Sequence, residues 1–370
     1  DGKTLIVGHN TDFAVDGGRV RAANFTNAGF TTLQKGSIEV SGNFLHDVGG
    51  NFVLQNMRQS AGGVFTNNGL VTGHGRLQHQ LQNNGTVAVN SESHLINDNG
   101  SSMSTNSNQI QLAGGRLDVT GALTNATGAF ITGHGVLGTS AGTPGNLGLI
   151  NNGTIAVSGS AMDIHGDVRN LAGGRIQTSG NSTTTFWDDV EHNGSEIRTS
   201  AGSSTVFYGS VTGAAPYTGT GSVFFEGDLK PGNSPADVQF EGDVHFGELA
   251  LLSIEIGGLA AGLDYDRLTV DGSTWLDCFL RLDLVSNFSP QVGDSFTIIR
   301  NRGTDPLFGQ FIGLDQGASL FAGNHQFSVD YFGGNGHDFV LSVVPEPSAA
   351  ILLAVAVMGC GLLRRRPPAN

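Results

Sequence analysis

Apolar and polar residues alternate along this chain in bursts of four or five, cut by glycine and asparagine. In "GSIEVSG", Ile38 and Val40 fall on one side and Glu39 on the other. "GRLDVTG" sets Leu117 and Val119 against Asp118, and "GTIAVSG" gives Ile155 and Val157. A period of two over so short a run predicts half-buried strands. One such strand cannot bury its face alone. Stacked coils can, by piling equivalent apolar residues into a single interior.

The bursts also repeat. "LVTGHGRL" at 70–77 returns as "FITGHGVL" at 130–137, and "LAGGRLDVTG" at 112–121 returns as "LAGGRIQTSG" at 171–180. "NNGTVAV" at 83–89 returns as "NNGTIAV" at 151–157, 68 residues on rather than 60, the extra eight reflecting the loop "GTSAGTPGNLG". Within these long units a strand recurs about every 20 residues, the period of a solenoid coil. Turns are expected at Asn68-Gly69, Asn84-Gly85, Asn152-Gly153 and Asn193-Gly194, residue types that tolerate positive φ. Asn-Gly between strands is also a hairpin signal, so an antiparallel sandwich or propeller stays open. The spacing and the shortness of the strands favour an all-β, right-handed parallel β-helix. Phe186 and Phe207 are expected to stack inside it.

Composition narrows the class. Only 14% of residues are charged while Gly reaches 57, a balance poor for helices and suited to short strands and many turns. Hydrophobic residues make up 38% and are evenly spread, which argues against a disordered chain. The net charge is −14, and setting aside Arg364, Arg365 and Arg366 makes the body more acidic still. With no basic patch, nucleic acid is not an expected partner.

The chain ends "VVPEPSAAILLAVAVMGCGLLRRRPPAN". Residues 349–363 form an uncharged run of about 22 Å as a helix, short of a hydrocarbon core of about 30 Å but lengthened by arginines that snorkel. A short C-terminal transmembrane helix is therefore expected, with Arg364, Arg365 and Arg366 cytoplasmic and the body outside. Pro345, Glu346 and Pro347 precede it as an extended, accessible segment. The order "VPEPS", apolar run, "RRR" resembles the PEP-CTERM sorting signal over about 25 residues. The resemblance implies a precursor anchored in the inner membrane of a Gram-negative-type envelope. It further implies processing by an exosortase-type membrane enzyme and delivery to the cell surface or extracellular matrix.

"LKPGNSP" at 229–235 breaks the rhythm. The segments "LLSIEIGG", "DYDRLTVDG", "VGDSFTIIRNRG" and "YFGGNGHDFVLSVV" follow. Led by "PGNSP", this series resembles the C-terminal part of autotransporter-like passenger domains, which are parallel β-helices. The sorting tail stands where that family has a membrane barrel, so self-transport is not carried over. Three regions result: a β-helix repeat region at 1–228, a passenger-like β region at 229–344 and a sorting signal at 345–370.

Candidate chemistry is sparse. His74 and His134 occupy the two TGHG copies, three coils apart, too far to share one ion at about 4.8 Å per coil, and read as turn residues. "GGNGHDFVL" at 333–341 fits one copy of a calcium-binding nonapeptide, making Asp338 the calcium candidate. An isolated copy reads more simply as a Gly-rich turn before a last strand, so no metal or cofactor is assigned.

Asp188, Asp189 and Glu191 form an acidic cluster. Alternation puts the two aspartates on opposite strand faces, and no arginine stands paired with a carboxylate cluster in the repeats, a poor start for a polysaccharide lyase or glycoside hydrolase. Asp264, Asp266 and Arg267 read as solvated edge charges, and Cys278 as a small buried residue without a nucleophile motif; His245 is distant from it in sequence. No catalytic residue is assigned. The expected role is that of an exported structural or adhesive protein, with extracellular polysaccharide as a candidate partner. A polysaccharide-degrading β-helix enzyme and an inert envelope spacer are the competing readings.

Overall fold

The computed structural model describes residues 3–345, apart from 101, 141–147 and 233–234, and gives the backbone alone for 56–62. The described chain is a parallel β-solenoid of about 11 turns, with no helix among the described residues. None of it is therefore a helix long and apolar enough to cross a membrane. Glu346, Pro347 and the arginines at 364–366, with the apolar run between, lie outside the described residues; Pro345 closes them, exposed.

Each middle coil has three strands and so three faces. Val168–Asn170, Arg175–Thr178 and Thr183–Phe186 make one coil, and each pairs in parallel with its counterpart in the next, Val190–His192, Glu196–Thr199 and Ser204–Phe207. In earlier coils the second and third strands run together, as in Gln109–Val119. The advance per coil ranges from 16 residues, Phe65 to Leu81, to 33, Trp275 to Phe308. Length variation is absorbed at the corners while the strand register holds. Parallel pairing rules out the antiparallel sandwich and propeller.

Alternation along the strands places the core as the sequence predicts. Ile38, Val40, Leu117, Val119, Ile155 and Val157 are buried, while Glu39 and Asp118 face out. Inner phenylalanines stack in register. Phe25, Phe44 and Phe65 lie 4.6 Å apart, and Phe186, Phe207, Phe225 and Phe246 follow at 5.0, 5.3 and 5.3 Å. Such columns tie each coil to the next through aromatic contact as well as area burial.

A second interior column is polar. Asn67, Asn83, Asn106, Asn125, Asn151 and Asn170 end the first strand of successive coils, all fully buried. From Asn67 through Asn151 each Nδ2 donates to the Oδ1 of the asparagine one coil on, at 2.7 to 2.8 Å. It also donates to a backbone carbonyl beyond the corner, such as Gln109 or Phe130. A buried amide costs free energy unless its hydrogen bonds are made, and here the stacked coils make them.

Asn68, Asn84, Asn152 and Asn193 follow at the corners, but neither they nor their glycines adopt positive φ. The glycines are needed for close approach instead: a Cβ at Gly85 would meet Gly69 O, and one at Gly153 would meet Ala129 O. Positive φ falls elsewhere, at Gly73 and Gly133 in the TGHG corners.

The ladders stay parallel through Phe308–Gly309. Beyond it the chain turns antiparallel. Ser319–Ala322 pairs with His325–Gly333, which pairs with Asp338–Val344, and the last lies antiparallel to Ser295–Asn301. This hairpin covers the C-terminal end of the coil stack with Phe311, Phe327 and Phe339 in its core.

Candidate functional site on the outer face

The third face carries a strip of outward rings. Strand ends such as "TTFWDD" and "TVFYGS" place Phe186 and Phe207 inside and the next residue, Trp187 or Tyr208, outside. His165, Trp187 and Tyr208 then stack one per coil, with centroids 5.8 and 4.6 Å apart and planes within 7°. Two residues to the side on the same face, the register Phe224, His245, Trp275, Phe308 continues the strip, at 4.3, 4.0 and 5.0 Å. Trp187 and Tyr208 are 44% and 48% exposed. Burial between two rings holds the His245 imidazole below its ordinary range, against the opposing pull of Asp243.

Carboxylates border the strip in fixed positions. Asp163 accepts from Trp187 Nε1 at 3.2 Å. Asp188 and Asp189 lie in the bend after Thr183–Phe186, where the sequence pattern had put them on opposite faces of a strand. They bond to coils on either side, Asp188 to Gly166 N and Asp189 to Ser210 N. Asp228 and Asp243 accept from Leu251 N and Ser273 N. The strands of this face from Thr183–Phe186 through Thr274–Leu276, with their following bends, contain no lysine or arginine.

A second polar cluster spans earlier coils, on Leu70–Asn83, His94–Asn97 and Gln109–Val119. Arg76 pairs with Asp98 at 2.6 Å, and Asp118 takes Arg116 at 2.7 Å and His94 at 2.6 Å. The bond to Arg76 holds the Asp98 carboxyl below its usual range. Burial would raise Asp118, but its bonds to Arg116 and His94 outweigh that and lower it. Shallow depressions flank this cluster, one lined by Asp118, Thr120 and Thr139, the other by Gln78, His79 and Asn99.

Glu191 is paired too, accepting from Arg169 Nε at 2.8 Å. These pairs correct the expectation that no arginine meets a carboxylate in the repeats. Arg76 and Arg169 escaped it because their partners lie 22 residues on and are adjacent only across coils; Arg116 and Asp118 share one face of a single strand, two residues apart. The structure does not bring Glu191 to Asp188 and Asp189 as one constellation, and among the described residues no three His, Cys, Asp or Glu side chains are placed to hold a metal ion.

Asp266 needs the larger correction. It is fully buried, not a solvated edge charge, and accepts from Ala236 N and Glu255 N at 2.8 Å each. Desolvation pushes its carboxyl up to about 7 against those two bonds. Arg267 pairs with Asp237, and Asp264 accepts from Ala260 N in an exposed turn. Asp338 accepts from Asn301 N at 2.9 Å at the start of the last strand. His134 lies at its corner beside Gly114 and Gly159. Cys278 is buried with its thiol pushed up to about 12 by desolvation, which leaves it almost entirely protonated at neutral pH.

No protein-family model matches the chain, and no curated protein matches it by sequence. The fold places it in the class of parallel β-solenoids, a class that holds enzymes and non-enzymes alike.

Proposed function

We propose that this protein is an exported structural or adhesive component of the cell surface or extracellular matrix, wound as a right-handed coil. Its C-terminal signal, Pro345, Glu346 and Pro347 before the apolar run and Arg364, Arg365 and Arg366, carries it to the inner membrane. There an exosortase-type enzyme processes it. The observation that supports this reading is the division of the coil. Phenylalanine stacks and the asparagine ladder fill the interior, while threonines, aspartates and aromatic rings line long outer faces. A long, regular outer surface suits contact with an extended partner such as a polysaccharide.

Fractionation of cells producing the chain with and without residues 345–370 tests the export half. The full chain is expected at the surface or in the matrix, and the truncated chain in the cell interior. A glycan array and a cell-binding assay test the adhesive half, and no binding in either removes it.

A further inference from the structure

We propose that the aromatic strip from His165 to Phe308 binds a linear, positively charged amino-polysaccharide laid along the solenoid axis. The inference deepens the matrix reading above and rests on it for its biological setting.

The ring faces cover one another, with planes 5° to 16° apart, so each coil turns a ring edge outward. The result is a rigid apolar ridge rather than a set of separate stacking platforms. A ridge that advances one ring per coil, about 4.8 Å, matches a polymer with a similar repeat. An extended polypeptide presents side chains on one face every ~6.7 Å and falls out of step within two coils. A β-linked hexose chain advances close to one coil per sugar and stays in step over each short stack.

Charge selects among such chains. Asp163, Asp188, Asp189, Asp228 and Asp243 border the ridge, each fixed through one oxygen by a protein N–H. The second oxygen of each takes no hydrogen bond among the described residues. With no lysine or arginine on the strands from Thr183–Phe186 through Thr274–Leu276, a neutral chain would leave these carboxylates without a partner and an acidic chain would be repelled. A protonated amine on each sugar places about one cation per coil beside them.

The protein's two tryptophans, Trp187 and Trp275, both lie in the strip, so intrinsic fluorescence reports on it directly. The full chain is titrated with a β-1,4-linked glucosamine hexamer. N-acetylglucosamine hexamer, cellohexaose and hexalysine serve as competitors of other chemistry. Saturable change with the glucosamine hexamer is expected, weakened at least tenfold in D188N/D189N and further weakened by salt. Those two substitutions keep an oxygen to accept the backbone bonds, and far-UV circular dichroism checks the fold. Glu226 follows Phe225 in the coil after Tyr208, its N–H on Phe207 O, and its carboxylate lies outside this hydrogen-bond set; E226Q supplies a second variant and is expected to weaken binding severalfold. No response to the glucosamine hexamer overturns the proposal. Equal binding of the neutral hexamers overturns the role of charge, and equal or tighter binding of hexalysine overturns the choice of a sugar chain. The titration uses purified protein, so its failure leaves the export experiment untouched, and the reverse holds.

Discussion

Asn170 Nδ2 donates to His192 Nδ1 at 3.2 Å, and His192 Nε2 donates in turn to the carbonyl of Pro216 at 3.2 Å. The imidazole thus takes the place of one more asparagine, accepting from the preceding coil and donating beyond the corner. His46 repeats the arrangement near the other end, with Asn27 Nδ2 at 3.1 Å and Leu70 O at 3.1 Å. Both rings must be neutral, because a proton on Nδ1 would face an amide N–H.

Stability therefore depends on these histidines below neutral pH. Burial lowers His192 from 6.5 to about 4 and lowers His46 as well. Their contribution is complete above pH 6.5 and falls as pH drops towards about 4, by about 3 kcal/mol for His192. H192N is expected to keep the ladder at pH 7.5, within about 1 kcal/mol of wild type, and to remove the His192 share of this acid loss. Urea unfolding from pH 4 to 8 measures both.

Asp266 has the opposite slope. Its carboxyl is raised from 3.8 to about 7, so the stability it adds is present at pH 4 and lost as pH rises through 7. The two effects offset one another in wild type. In H46N/H192N the Asp266 slope is exposed, and stability should rise as pH falls from 7 to 5. In D266N, which can offer only one oxygen to two backbone donors, the histidine loss is exposed on a baseline lower by about 1–3 kcal/mol. Equal pH profiles for both variants would contradict the assignments.

Removing a rung tests the ladder itself. N125A leaves Asn106 Nδ2, Asn151 Oδ1 and the Thr154 carbonyl short of a partner, and is expected to cost about 2–4 kcal/mol. N84A, outside the buried column, is expected to cost under about 1 kcal/mol. Urea midpoints at fixed pH compare the two.

Glycine positions separate into two kinds. At Gly133 a side chain would both adopt φ of 106° and collide with Leu112 O, so G133A is expected to abolish folding or cost more than about 3 kcal/mol. At Gly128, φ is 80° with nothing nearby, and G128A should cost about 1 kcal/mol. Soluble yield and thermal midpoint distinguish them.

The strands and their inward residues were legible because alternation at Ile38, Val40, Leu117 and Val119 reports one buried face directly. The stacked Phe186 and Phe207 were legible for the same reason. The asparagine ladder was half-visible. The "NNG" motif marked corners, but only coil register shows that its first asparagine points inward and its second outward. His46 and His192 gave no signal of their own, since an imidazole matches an amide only in three dimensions. The ion pairs of Arg76 with Asp98 and of Arg169 with Glu191 join residues of neighbouring coils, and alternation along one strand carries no such information. Asp266 misled because an Asp beside an Arg reads as surface, while the backbone donors that bury it come from distant segments. The outer strip had a signal in the doublets "FW", "FY" and "FF", each setting one aromatic inside and one outside.

Intact mass of the protein recovered from the cell surface or matrix tests the account most directly. A C terminus cut at or near Pro347, without the apolar run and Arg364–Arg366, is the predicted result. Full-length chain confined to the cell interior would contradict it.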